Sequence, residues 1–531
     1  MTMRGLQATQ AAVLALAGTA FAVCCVLPLA YMVWRSLASA PQGGAPVVAA
    51  LLLDARQREL LANSTLLGAG TALGATLIGA PLGVALARVA LPFKGVLRVA
   101  LIAPLLLPPY VMGLAWLYLG GSAGLVARMV GRDVLSPWTY SLAGATFVLA
   151  LVFFPLSMLA TEVALRRVDG RSEEAALMVA RPGRVLWRIT LPLAAPAITA
   201  AALLIFVLAI SEFGVPGLLR VRVFTTEVFT AFAALYDFNR ATILALPLLV
   251  VSVLVTAVAA VLVGERLIVT RRGTRAGRPV SFDAWRRFAI VASMCVLLLA
   301  LVVPLAVLAY EASGVRSFAA IVRGSREAIT NSLMLATIGA SLVVTIAVWL
   351  GYTRARVSRG LGRIADVLWV VLFATPSTVI GVGLIGLWNQ PGMVGAVYGT
   401  DAMLVLAYLA RFVPVAALVL GASVRHVPAS HEEAAAVGGA GWLRAMTFIV
   451  LPQIRLGILT AWTIAFILAF GELGASILVA PPGATTLPIR IYTIIANTPP
   501  AQVAALALLQ SAVVFVPLAA LGLGVAVREV R

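Results

Sequence analysis

Charge is scarce in this 531-residue sequence. Only 11% of its residues are Asp, Glu, Lys or Arg, against about 25% in a typical soluble domain. That shortage excludes a soluble core of any usual size. Histidine occurs twice (His426, His431), and the three cysteines, Cys24, Cys25 and Cys295, all sit in apolar runs. No CxxC occurs, so neither a metal cluster nor a disulfide framework is suggested. The cysteines read as small apolar filler. Lysine appears once, as Lys94, beside 38 arginines. A GxxxxGK(S/T) phosphate cradle is missing throughout, so the chain is not expected to hydrolyse ATP by itself. With so little His and no clustered polar motif, a membrane-embedded enzyme is set aside.

What is present is apolar length. Hydrophobic residues make up 62% of the chain and the mean hydropathy is +1.06. This predicts an all-α polytopic membrane protein with twelve spans. They are placed at 11–34, 65–87, 99–119, 142–165, 195–219 and 243–263, then 288–310, 332–352, 367–388, 402–424, 456–479 and 504–527. The first is too long for a signal peptide's apolar region. Part of it, VLPLAYMVW (26–34), also returns as VVPLAVLAY (302–310), which predicts a segment that stays in the fold.

The net charge of +19 suggests nucleic acid at first sight. The arginines lie instead in short loops between apolar runs. With the N-terminus inside, cytoplasmic segments carry 26 Lys and Arg against 12 on the other face, with Arg411 inside a span. This bias predicts both termini in the cytoplasm and no nucleic-acid partner.

Two halves resemble each other. NSTLLGAGTALGATLIGAPLGVALARV (63–89) matches NSLMLATIGASLVVTIAVWLGYTRARV (331–357). FVLAISEFG (206–214) matches FILAFGELG (466–474). The expected layout is a first six-helix repeat at 1–263, a basic cytoplasmic linker at 264–287 and a second repeat at 288–531. Six spans return the chain to its starting side, so the repeats are expected to run parallel about a pseudo-twofold axis along the membrane normal.

Each repeat carries a similar charged loop after its fourth span: EEAALMVARPGRVLWRITLP (173–192) and EEAAAVGGAGWLRAMTFIVLP (432–452). In the second, Glu432, Glu433 and the alanines favour a short helix. Ser430 is placed to cap it and Gly438 and Gly439 to end it. An amphipathic helix with Trp442, Leu443, Met446 and Ile449 as apolar positions is expected next, before Pro452.

The spacing of Glu433-Ala434-Ala435, Gly439, Ile449, Leu451 and Pro452 resembles the EAA loop of binding-protein-dependent ABC importer permeases. The first copy has Glu173, Glu174, Ala175, Ala176, Ile189, Leu191 and Pro192. It departs in placing Ala180 where Gly is expected and in being one residue shorter before the Ile, so its turn is expected to use Arg181-Pro182-Gly183. The resemblance implies the type I permease fold and two coupling helices that dock a cytoplasmic ABC ATPase homodimer. It also implies a periplasmic solute-binding protein outside, ATP and Mg²⁺ used by the ATPase, no cofactor on this chain, and import as the direction.

The fused form, with LPPYVMGLAWLYL (107–119) and TTLPIRIYTIIANTPPAQVAALAL (485–508), is similar to iron(III) permeases. Thiamine and 2-aminoethylphosphonate permeases are similar too, and two-chain relatives carry polyamines, sulfate or molybdate. Glu212 and Glu472 occupy equivalent places in the fifth spans and are expected near the axis. Either their carboxylates line a path and suit a hard cation, or they are hydrogen-bonded within helix contacts near the outer interface. Arg411 either pairs with Glu472 or meets an anionic substrate. Pro108, Pro109 and Pro376 are expected to kink the third spans, where Tyr110, Ser377 and Thr378 line a path. The rival class is a six-plus-six secondary transporter, which has no need of two matched loops.

Overall fold

Prolines stand where the long apolar helices swell and where two of them break, although Pro81, Pro155, Pro196, Pro247 and Pro414 lie inside continuous helices. In the computed structural model, residues 3–38, 54–167, 175–264 and 285–529 are described. Every regular element among them is helical. Glu173 and Glu174, and residues 265–284 of the expected linker, lie outside the described residues.

Four helical stretches widen into π-turns: Ala22–Val26, Leu186–Thr190, Leu298–Val302 and Met446–Val450. Each is followed, one residue on, by a proline: Pro28, Pro192, Pro304 and Pro452. Proline donates no N–H, and its ring presses on the carbonyl four residues back. The residue before it bonds five back instead. Leu27 donates to Ala22 O, Leu191 to Leu186 O, Val303 to Leu298 O and Leu451 to Met446 O. Single π-turns of this kind tend to sit at functional positions.

Other prolines end helices outright. Lys94–Leu106 stops before extended Leu107 and Pro108, and Pro109–Gly120 begins anew. In the second half, Gly360–Ala374 and Ser377–Trp388 meet at 94° across Thr375-Pro376. The expected single spans 99–119 and 367–388 are therefore each two helices, because a residue before proline is pushed out of the α region. The fifth spans are shorter than expected as well. Their helices end at Ile210 and Phe470 rather than 219 and 479, and Glu212 and Glu472 lie in the break that follows. Nine helices of the described residues are long and apolar enough to cross a membrane, or eleven if two bent pairs each count as one span. The twelfth expected span falls on Pro500–Glu529.

Two compact units form. One gathers Met1–Ala50, Val228–Leu249 and Gly324–Tyr492; the other gathers Leu51–Glu227, Val250–Arg323 and Thr493–Arg531. Each draws helices from both sides of residues 264–287. In the first unit, the helix Leu27–Ala38 lies against Ser377–Trp388. Tyr31 Oη accepts from Gln390 Nε2 at 2.9 Å, and Cys25 Sγ lies 3.5 Å from Leu409 O. In the second unit, Val303–Ala312 packs on Pro500–Glu529 and on Pro109–Gly120.

The closest helix pairs use small residues. A Cβ on Gly83 would stand 2.5 Å from Met158 O, and one on Gly351 would stand 2.7 Å from Gly421 N. These glycines let Ala55–Arg88 lie on Leu142–Arg167, and Arg326–Arg356 on Ala402–Arg425. In lipid, where apolar surface gains nothing by leaving tails for side chains, such close backbone approach drives packing. The two units also share a detail. Ser64 Oγ accepts from Phe224 N at 3.0 Å, and Ser332 Oγ accepts from Leu487 N at 2.6 Å. Asn63 and Asn331, one residue earlier, donate to Arg222 O and Thr485 O.

Candidate functional site: two EAA-like turns

The second turn is built from Ala429–Val437. Pro428, not Ser430, is its N-cap; Ser430 lies within the first turn of the helix. Proline suits the entry because the residue ahead of it cannot be helical. At the other end, Gly439 N donates to Ala436 O at 3.0 Å and Ala440 N to Ala435 O at 2.9 Å. Gly439 has φ +78°. This is a Schellman closure, which calls for a left-handed residue. The second helix runs Trp442–Ala445 and continues through the π-turn Met446–Val450 to Leu451–Gln453. Met446 and Val450 are buried, whereas Leu443 and Phe448 are exposed.

Glu432 is turned inward. Tyr352 Oη donates to its Oε2 at 2.7 Å. Arg356 holds Oε1 through Nε at 3.0 Å and also through Nη2. Trp442 Nε1 donates to Tyr352 Oη at 3.1 Å, and Arg356 Nη2 reaches Val427 O at 3.2 Å. The short helix is thus clamped to the end of Arg326–Arg356. Charge-assisted bonds of this sort are about twice as strong as neutral ones. The sequence singled out neither Tyr352 nor Arg356; a Tyr and an Arg four apart at the end of a span are the only hint it holds.

With Glu432 engaged behind it, the tip is left to Glu433, Ala434, Ala436 and Val437, all exposed. Val437 is 91% exposed.

The first turn is made differently. Ala175 and Ala176 lie in a short helical stretch, 175–177, closed by Val179 N and Ala180 N, both donating to Ala176 O. None of the described residues 175–192 has a positive φ. Ala180 therefore replaces Gly without strain, and the loop is shorter by the residue that the Schellman closure uses. Arg181 is the N-cap of Pro182–Val185, so the turn does use Arg181-Pro182-Gly183. Leu186–Thr190 and Leu191–Ile210 follow, with Pro192 in the same place as Pro452. The tip presents Met178 and Val179, at 86% and 87% exposure. Each turn thus offers apolar side chains at its outermost point.

Glu472 is buried, and Arg411 Nη1 and the Glu472 carboxylate approach to 3.0–3.2 Å. Glu472 Oε1 also accepts from Ala475 N at 2.8 Å. Of the two sequence alternatives for Arg411, this is the ion pair. Glu212 Oε1 accepts from Gly214 N at 2.9 Å. Both carboxylates therefore satisfy the backbone where the fifth helices break. Tyr110 is buried and donates to Gln510 Oε1. Ser377 and Thr378 are buried too, and the Thr378 hydroxyl is without a hydrogen-bond partner.

Helices of this length and hydropathy, some broken at prolines, define a multi-pass membrane protein. Residues 343–526 match the family model described as binding-protein-dependent transport system inner membrane component. The Fe(3+)-transport system permease protein FbpB 2 of Haemophilus influenzae is 26% identical over 494 residues, covering 90% of this chain and 91% of that one. The putative ABC transporter permease protein ORF1 of Streptomyces antibioticus is 34% identical over 163 residues, 30% of this chain and 69% of its own. The molybdenum transport system permease protein ModB of Mycobacterium tuberculosis is 35% identical over 159 residues, 30% of this chain and 60% of its own. This chain belongs to the family of ABC transporter permeases that serve binding-protein-dependent transport.

Proposed function

We propose that this chain is the translocation subunit of an ATP-driven importer, with the turns at 173–192 and 432–452 as its coupling helices. In this reading it holds twelve spans in two parallel six-helix repeats, with both termini cytoplasmic. An ABC ATPase homodimer docks on the two turns, and ATP and Mg²⁺ are used there. A periplasmic binding protein delivers the solute. One observation carries the reading. Each turn exposes large apolar side chains at its tip, Met178 with Val179 and Val437, where a solitary protein gains nothing from them. The second turn is also braced from behind by Tyr352 and Arg356.

Iron(III) is the solute this reading favours. The iron(III) permease from Haemophilus influenzae matches nearly end to end, whereas the molybdenum permease matches 30% of this chain. Thiamine or 2-aminoethylphosphonate would use the same machinery. The support for iron is length and likeness, not the carboxylates, since Glu472 is held by Arg411 and Ala475. The test is uptake into proteoliposomes with the neighbouring ATPase and binding protein. Radiolabelled iron(III) should accumulate only with ATP, and charge reversal at Glu433 should release the ATPase. Ion-driven uptake by this chain alone would instead make it a secondary transporter.

A further inference from the structure

Lys94, Arg98 and Arg166 gather around one buried acid. Glu162 lies on Leu142–Arg167 with its side chain fully buried. Its Oε2 is 3.0 Å from Arg98 Nε and its Oε1 2.5 Å from Arg166 Nη2. Lys94 opens the helix Lys94–Leu106 within reach of the same carboxylate. Burial, and then Arg166, Arg98 and Arg88, push its ammonium below the usual lysine value despite the opposing pull of Glu162. Two arginines pair with this one carboxylate and Lys94 adds a third cation near them, so positive charge is left over among the described residues.

The fold itself does not require this excess. The matching place in the second half, 268 residues on, carries Gly362 for Lys94 and Asp366 for Arg98. There Arg354 is held by Asp366 at 2.8 and 2.5 Å, and Arg356 by Glu432. Those two arginines each have an acid of their own. The first half is left with cations whose outer N–H groups face outward, Arg98 at 37% and Arg166 at 49% exposure.

Apolar groups flank these cations. Phe93 and Val96 are strongly exposed, and Phe93 has φ +49°, a conformation a bulky residue rarely adopts. Cations beside outward-facing apolar groups are what a membrane interface offers to a headgroup and its chains. We propose that Lys94, Arg98 and Arg166 bind the phosphodiester of an anionic phospholipid, with Phe93 and Val96 against its acyl chains. Arg166 stands in the last turn before the chain enters the first EAA-like loop, so the bound lipid braces the root of that loop. The site stands whatever solute the protein carries.

The test is lipid retention by the full-length chain. Wild type and Lys94→Gln/Arg166→Gln are placed in nanodiscs of mixed phosphatidylglycerol and phosphatidylethanolamine, and retained lipid is read by native mass spectrometry. Wild type should keep phosphatidylglycerol preferentially. Each cation removed should lower that preference roughly fivefold, while Arg323→Gln, an exposed cation elsewhere, leaves it intact. The single variant Lys94→Gln, which breaks no ion pair with Glu162, guards against misfolding and should show its own fivefold loss. A preference unchanged in Lys94→Gln and in the double variant overturns the proposal. So does full displacement of the lipid by inorganic phosphate, which would mark the site as one for free phosphate.

Discussion

Tyr352 and Glu432, 80 residues apart, share a 2.7 Å hydrogen bond that ties the second EAA-like helix to the end of a membrane helix. Arg356 completes the clamp from one turn further along. At the matching positions the first half has Val84 and Arg88. Its turn therefore lacks the tyrosine bond.

Tyr352→Phe should remove that bond and leave Trp442 Nε1 without its acceptor. The expected cost is about 1–2 kcal/mol, seen as a lower melting temperature. The sharper reading is coupling: uptake per ATP hydrolysed should fall roughly five- to tenfold while the ATPase still co-purifies. Val84→Ile, a small change at the matching buried position, should leave coupling unchanged. Equal effects from both would show that the clamp is not special.

Gly439 should tolerate Asn better than Ala, and Ala better than Val. Nothing lies within 4 Å of a Cβ built there, so the penalty comes from φ +78° alone. About 1 kcal/mol is expected for Ala. Ala180→Gly in the first turn should bring no gain and cost about 0.4–1 kcal/mol in thermal unfolding, because the described residues 175–192 use no positive φ.

Arg411 and Glu472 form a pair in which breaking one partner costs more than replacing both. Arg411→Leu takes the ion-pair partner away from buried Glu472, which keeps the Ala475 N–H, and a loss of about 3–5 kcal/mol is expected. Arg411→Leu/Glu472→Gln should recover most of it in a denaturation series. If the double variant is as unstable as the single, the pair is not what holds this break in the fifth helix.

Gly79 and Gly83 should accept no larger residue. A Cβ on Gly79 would overlap Phe154 O and come within 2.8 Å of Met158 N. Gly79→Val should abolish accumulation of folded protein, whereas Gly18→Ala, with open space around it, should be silent. Western blots of membrane fractions would show the difference.

Much of this was legible in the residues. Hydropathy located the helices, and two copies of an EAA-like run located the turns. Gly438 and Gly439 did end the helix they were expected to end. What composition hides is geometry. Apolar stretches such as 99–119 read as one span, because hydropathy averages over a proline that stops the helix. The π-turns escaped for the same reason: a Leu-Pro or Val-Pro pair follows each one, but Leu246-Pro247 and Val413-Pro414 lie in plain α-helix. The inward turn of Glu432 was not legible either, since its partners Tyr352 and Arg356 are remote in sequence. Glu212 and Glu472 read as intramembrane charges. Only the break after Ile210 and Phe470 reveals the backbone N–H groups that occupy them.

The partition of helices between the two compact units has a consequence for biosynthesis. Cys25 meets Leu409 across 384 residues, a stretch that takes on the order of tens of seconds to translate. The opening helix must therefore wait in the bilayer, without the partner it finds at Leu409, until the second half emerges. Severing the chain near residues 264–287 would free neither unit, since each is stitched from segments on both sides of the cut. Two separately expressed pieces would have to find one another before either finished folding.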